Sequence, residues 1–197
     1  MKTDSESQRV PEDDVTCLLR EMRLEEAIGL LKRSGYKVDS AAVKAMILGY
    51  ETRANQMQTA GETGEARRMA RRAAALNGLL THGPDPARML AEVELPEGYQ
   101  GKILLVLLQG GVFEGTVCLR SGDDWHREIL RNTQAEMEHL GFRNTQVYPL
   151  GGAYAGFESD GGVVVRGTSD EYGCCDKDLA ARLIARAYPG RTVRIEA

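Results

Sequence analysis

The residue best suited to chemistry in this sequence is His126, which follows Trp125, the single tryptophan of the chain. Apolar spacing predicts an amphipathic helix over residues 121–140 and places His126 within its first turn or so, at the edge of the apolar stripe. A helix N-terminus disfavours an imidazolium and favours the neutral ring, which can act as a base or a nucleophile near pH 7. A surface or capping histidine is the alternative interpretation.

A second candidate is the turn over residues 167–173, of sequence GTSDEYG, between a predicted valine-rich strand and a predicted helix. A turn in this position can direct several backbone N–H groups at a bound anion such as phosphate. Asp170 and Glu171 count against an anion unless their carboxylates face away. An ordinary connecting turn is the alternative interpretation.

The other reactive side chains favour structural roles. Cys174 and Cys175 begin the last predicted helix, where the dipole favours a thiolate, but we interpret this pair as inert and all four cysteines as reduced thiols. No C-x-x-C pair suggests a metal, and no cofactor is expected. Arg67, Arg68, Arg71 and Arg72 form a basic helix face that we expect to be solvated and paired with nearby glutamates, with partner binding there as the alternative.

The periodicity of the chain predicts three parts. Residues 1–11 are expected to form a disordered tail, and residues 12–94 a helical domain of three or four helices. The helix near residues 24–31 is expected to stop at Gly35, and two more are expected at about 40–61 and 63–80. Residues 99–197 follow the order β-β-α-β-β-α-β, which predicts an α+β domain with both helices packed on its sheet. Its strands are predicted at 103–108, 117–119, 145–150, 162–168 and 192–196, with Gly151-Gly152 as a turn and the last helix at 176–188.

Composition narrows the functional classes. Apolar residues make up 42% of the chain, and 25 basic against 29 acidic side chains leave a net charge of −4. This balance is typical of an ordinary soluble globular protein and argues against a general binder of nucleic acid or of membrane surfaces. No apolar stretch is long enough for a signal peptide or a membrane helix, so we expect a cytoplasmic protein.

In combination, the motifs of residues 101–197 resemble the small phosphohistidine phosphatase family, the Janus/ocnus proteins, while the helical domain lies outside the resemblance. The shared features keep the same order and similar spacing along the chain. They are Trp125-His126 opening a long helix that ends at Gly141, then Leu150-Gly151-Gly152, then the Gly-x-Ser-x-x-Tyr-Gly turn at 167–173, and finally Tyr188-Pro189 after the last helix.

The resemblance implies a metal-independent phosphatase that hydrolyses phosphohistidine, or another phosphoramidate, in a protein or peptide. It implies that His126 is catalytic, either as a general base toward water or as a nucleophile toward phosphorus. It also implies that Lys102 and the backbone of Ser169, Asp170 and Glu171 bind the phosphoryl oxygens.

Two departures from the family pattern remove positive potential. The family commonly has an arginine after Leu-Gly-Gly, where this chain has Ala153, and uncharged residues after the serine, where this chain has Asp170 and Glu171. Like charges about 4 Å apart repel by roughly 4 kcal/mol at an effective dielectric constant near 20, so these carboxylates matter if they face a phosphate. Arg166 and Arg120 are the candidates to restore the missing cation.

These departures keep a rival hypothesis open. The same scaffold could have lost its chemistry and act as a binding or regulatory module, with the helical domain docking a protein or pairing two copies. A regulator whose arginine-lined helix contacts nucleic acid is a third hypothesis, which the net charge disfavours.

Overall fold

The computed structural model describes residues 12–34 and 38–196, and the predictions for the tail at 1–11 and for Gly35 lie outside the described residues. Within that range the chain is a mixed α/β protein with six α-helices and a five-stranded mixed sheet. It divides into two compact units. One contains the chain up to Leu90 together with Glu138–Arg143, and the other contains Ala91–Met137 and the chain from Asn144 onward.

The first unit is built from α-helices. They are α1 (Glu12–Arg20), α2 (Leu24–Ser34), α3 (Ser40–Thr59) and α4 (Thr63–His82). The carboxylate of Asp39 caps α3 by accepting hydrogen bonds from the backbone N–H groups of Ala41 and Ala42. α3 and α4 pack against each other along their lengths, and the two helices predicted at 40–61 and 63–80 are confirmed.

The second unit carries the sheet. Its elements are β1 (Gln100–Gly110), β2 (Phe113–Ser121), α5 (His126–His139), β3 (Gln146–Phe157), β4 (Val163–Arg166), α6 (Lys177–Ala187) and β5 (Val193–Ile195). The strand order is β2-β1-β3-β4-β5, with antiparallel neighbours except for the parallel pair β4 and β5.

The two helices of this unit cover opposite faces of the sheet. Ile103 and Ala153 pack with Leu183 of α6 in one apolar core. Because side chains alternate along a strand, the neighbouring positions Leu104 and Gly152, which pair with each other, face the other way. A Cβ built on Gly152 would meet the ring of His126, the first residue of α5, so α5 lies on that second face.

Two predicted boundaries are wrong, for local reasons. Strand β3 does not end at Leu150 but continues to Phe157, because Gly151, at φ = 105°, accommodates a bulge where the register with β1 shifts. Helix α5 begins at His126 rather than at Ser121. Ser121 still belongs to β2, and its buried hydroxyl donates a hydrogen bond to the carbonyl of Glu94.

His139, at the end of α5, belongs to the first unit and is partly buried. Burial, followed by the positive charges of Arg68 and Arg72 on α4, lowers the pKa of His139 from its ordinary value of 6.5. The unfolded chain therefore binds more protons than the folded chain between the two pKa values, so stability falls as the pH drops through 6.5.

We expect the thermal midpoint of the full chain to fall between pH 7 and pH 5, and His139→Gln to reduce that fall. Differential scanning fluorimetry of both proteins across this range measures the effect. An identical pH dependence in the two proteins would show that His139 does not cause it.

Candidate functional site

His126 is the first residue of α5, and only 5% of it is exposed. Its Nε2 atom lies 3.2 Å from the carbonyl oxygen of Ala153 on β3. A carbonyl oxygen only accepts hydrogen bonds, so Nε2 carries the proton, and in the neutral ring Nδ1 keeps the lone pair. Nδ1 has no protein partner within the described part of the chain, which leaves it available to a ligand.

Gly152 of β3 lies between His126 and the turn over residues 167–173, called the serine turn because it contains Ser169. A Cβ atom built on Gly152 would lie 2.5 Å from Cδ2 and from Nε2 of His126, and 2.9 Å from Cβ of Ser169. The His126 ring and Ser169 therefore approach within about 5.4 Å, the sum of those two distances. Only a residue without a side chain fits between them.

The turn is anchored to the same point of β3. The backbone N–H of Gly152 donates to the carbonyl of Gly173 at 3.0 Å, and the Gly152 carbonyl accepts from the N–H of Cys175 at 3.3 Å. Both backbone groups of Gly152 therefore bond to the turn on the side of β3 away from β1. These two bonds position the turn beside the histidine.

The turn folds around its serine. Ser169 is 3% exposed, and its hydroxyl oxygen accepts the N–H groups of Glu171 at 3.3 Å and Tyr172 at 3.2 Å. Ser169 and Gly173 also bond to each other through their backbones. Asp170 is exposed, and its N–H has no acceptor among the residues that the structure describes.

The carboxylate of Glu171 reaches the N-terminus of α5. Its Oε2 accepts the backbone N–H of Arg127 at 3.1 Å, and its Oε1 lies 3.7 Å from the guanidinium of the same residue. The N-terminal amides of a helix favour such an anion. A negative charge is therefore held one residue away from His126.

Two cations flank the tryptophan that precedes His126. The ammonium of Lys102 lies 4.4 Å from the ring centre of Trp125, and the guanidinium of Arg127 lies 5.4 Å from it. The ring is 53% exposed, so both contacts are at the surface. Lys102 is thus placed next to the start of α5.

A family model described as Janus/Ocnus matches residues 89–192, just over half of the 197 residues. The chain belongs to the Janus/Ocnus family. The matched region includes the whole of α5, the bulge in β3 and the serine turn. The match confirms the resemblance to the Janus/Ocnus proteins, and it does not extend to an activity on phosphohistidine. No curated protein matches the chain.

Arg166 and Arg120, the two candidates to replace the family's missing arginine, lie in different surroundings in this Janus/Ocnus chain. The Arg166 guanidinium is 5.0 Å from the ring centre of Tyr154 and 3.9 Å from the Glu196 carboxylate, and its side chain is 55% exposed. Arg120 is 1% exposed, and its Nε lies 3.6 Å from Oε2 of Glu136 on α5.

Glu136 is ten residues along α5 from His126, a rise of about 15 Å. The structure therefore does not bring the Arg120 guanidinium to the histidine. It holds Arg120 in a buried ion pair, with a further hydrogen bond from Nη1 to the carbonyl of Ala91 at 2.8 Å.

Cys175 is buried in the apolar core that contains Leu183 of α6. Burial, and then the neighbouring Cys174, raises the pKa of the Cys175 thiol to about 11, so Cys175 is a poor nucleophile near neutral pH. Among the described residues, no group of three or more histidine, cysteine, aspartate or glutamate side chains could hold a metal ion. No helix in that part of the chain is long and apolar enough to cross a membrane.

Sequence reasoning missed Arg127. Its position directly after His126 was visible, but its partner Glu171 is 44 positions further along the chain. The missing observation was the helix boundary, since a helix that begins at His126 exposes the N–H of residue 127 at its first turn.

Proposed function

We propose that this Janus/Ocnus chain is a metal-independent phosphatase that hydrolyses phosphohistidine, or another phosphoramidate, in a protein or peptide. One observation carries the proposal. The Ala153 carbonyl fixes the His126 ring through Nε2. It leaves Nδ1, the atom able to accept a proton or attack phosphorus, without a partner among residues 12–34 and 38–196. The P–N bond is labile, so modest catalysis is sufficient.

In the general-base route, a water molecule attacks phosphorus while Nδ1 takes its proton. The P–N bond breaks, and the leaving nitrogen receives a proton as inorganic phosphate forms. In the nucleophilic route, Nδ1 itself attacks phosphorus and expels the leaving nitrogen, and water then hydrolyses the phosphorylated ring. The Ala153 carbonyl holds the ring in position in both routes.

Charge on the phosphoryl oxygens requires donors and cations nearby. Lys102 is the first candidate, because its ammonium lies beside Trp125 at the start of α5. The N–H of Asp170 in the serine turn, which has no acceptor among the described residues, is the second. Neither role requires a metal ion.

The test is the dephosphorylation of a phosphohistidine peptide by the purified full chain. We expect His126→Ala to reduce the rate at least about a hundredfold, since it removes the proposed base or nucleophile. His82→Ala is the matched control, because His82 is exposed at the end of α4 and should leave the rate unchanged. Equal rates for the wild type and His126→Ala would remove the proposal.

A catalytically inactive binding or regulatory module is the second candidate, and one observation favours it. The amides of Glu171 and Tyr172 are already bonded to the Ser169 hydroxyl, and the Glu171 carboxylate already occupies the start of α5. A module of this kind would recognise its partner through other surfaces, including the helical unit.

Titration with inorganic phosphate separates the two candidates. For the phosphatase we expect the backbone amide signals of Ser169, Asp170 and Glu171 to shift in a saturable manner, because the turn lies beside the phosphoryl position. The inactive module predicts no such shift at any phosphate concentration. Two-dimensional ¹H–¹⁵N spectra of the full chain give this result directly.

A further inference from the structure

The Glu171 carboxylate occupies two anion-binding groups next to His126, both of them on Arg127. It accepts the Arg127 N–H at 3.1 Å and lies 3.7 Å from the Arg127 guanidinium. A phosphoryl group at Nδ1 of His126 would need these same groups, because most of the serine-turn amides are bonded within the turn.

The ion pair between Glu171 and Arg127 is weak enough to break when a ligand binds. The Glu171 side chain is 34% exposed and that of Arg127 is 62% exposed, so water reaches both charges and their attraction is weak. The guanidinium also has a support that does not depend on Glu171, since it lies over the ring of Trp125. When the carboxylate leaves, the cation stays near the start of α5.

We propose that Arg127 is a phosphate-binding residue of this domain and that Glu171 is a built-in competitor, which a phosphorylated ligand must displace. The inference rests on the proposed function, because it takes the phosphoryl position to be beside His126. It assigns the acidic turn a definite role, which is to weaken the binding of free phosphate. Ligands that supply additional contacts outside the phosphoryl group then gain an advantage over inorganic phosphate.

The test measures the dissociation constant of inorganic phosphate for the full chain by titration of its amide signals. Glu171→Gln keeps the shape of the side chain and removes its charge, and we expect it to bind phosphate about three- to fivefold more tightly. Asp124→Asn is the matched control. It removes one exposed negative charge two residues before His126, at a residue without an ion pair among those described, and we expect less than a twofold change.

A double-mutant cycle shows whether Arg127 carries the effect. We expect Arg127→Ala to weaken phosphate binding and to abolish the gain from Glu171→Gln. Equal gains from Glu171→Gln and Asp124→Asn would overturn the proposal, since they would reflect net charge alone. A full gain from Glu171→Gln in the Arg127→Ala background would overturn it as well.

Hydrolysis assays on the same proteins keep the two proposals distinguishable. If His126→Ala abolishes hydrolysis but the cycle shows no coupling between Glu171 and Arg127, the proposed competition by Glu171 is wrong. The proposed phosphatase activity is then still supported. If the cycle shows coupling but no protein hydrolyses the phosphohistidine peptide, the domain binds phosphate without the proposed reaction.

Discussion

Replacing Gly152 by alanine is expected to reduce the hydrolysis of a phosphohistidine peptide at least about a hundredfold. The added Cβ would lie 2.5 Å from two atoms of the His126 ring and 2.9 Å from Cβ of Ser169, which is closer than such atoms approach. The ring must therefore move, and its hydrogen bond to Ala153 is lost. The same crowding should lower the free energy of unfolding by about 1–3 kcal/mol, measurable by urea denaturation.

The matched control is Gly156→Ala, four residues further along β3 and on the same face. A Cβ there would come no closer than 3.3 Å, to a ring carbon of the partly exposed Tyr154, which can shift. We expect nearly unchanged hydrolysis and stability. Equal activity in Gly152→Ala and Gly156→Ala would mean that the position of the His126 ring does not matter to the reaction.

Breaking the buried ion pair of the second unit should have the largest effect on stability. Arg120 and Glu136 are 1% and 6% exposed, and their charged atoms lie 3.6 Å apart. Burial is the largest single influence and lowers the pKa of Arg120, but Glu136, Cys118 and Glu94 together outweigh it and leave the pKa raised, so the guanidinium stays charged. Glu136→Gln leaves that charge buried without its closest carboxylate, and we expect a loss of about 3–5 kcal/mol in urea denaturation.

Glu94→Gln provides the comparison. Glu94 is also near Arg120, at 4.0 Å, but its side chain is 25% exposed, so the loss should be about 1 kcal/mol or less. Both variants should retain hydrolysis under conditions in which they are folded. The reason is that Glu136, the partner of Arg120, lies about 15 Å along α5 from His126. If either variant stays folded but loses activity, Arg120 would again be a candidate to contact the phosphate.

The sequence predicted the features that local spacing controls. Apolar periodicity located the two helices of the second unit, and the sheet strands followed from their β-branched runs. The family motifs placed His126 at the start of a helix and Ser169 in a glycine-bounded turn, and the structure brings both residues to Gly152.

What could not be predicted depends on contacts between distant parts of the chain. Arg120 looked like a spare cation because nothing near it in the sequence shows that it is buried against Glu136. Gly151 and Gly152 are typical of a turn, and only the pairing of β1 with residues on both sides of them shows that the strand continues through them. The boundary of α5 was missed for the same reason, because β2 extends to Ser121.

The most direct test concerns the two ring nitrogens of His126, since the proposed reaction requires the lone pair to be on Nδ1. Long-range ¹H–¹⁵N spectra of the full chain with labelled histidine, recorded near pH 8, distinguish a protonated nitrogen from an unprotonated one, and His126→Ala assigns the signals. We expect the proton on Nε2, and we expect the Nδ1 signal alone to shift strongly when inorganic phosphate is added. A proton on Nδ1, or an Nδ1 signal that phosphate leaves unchanged, would contradict the proposed role of His126.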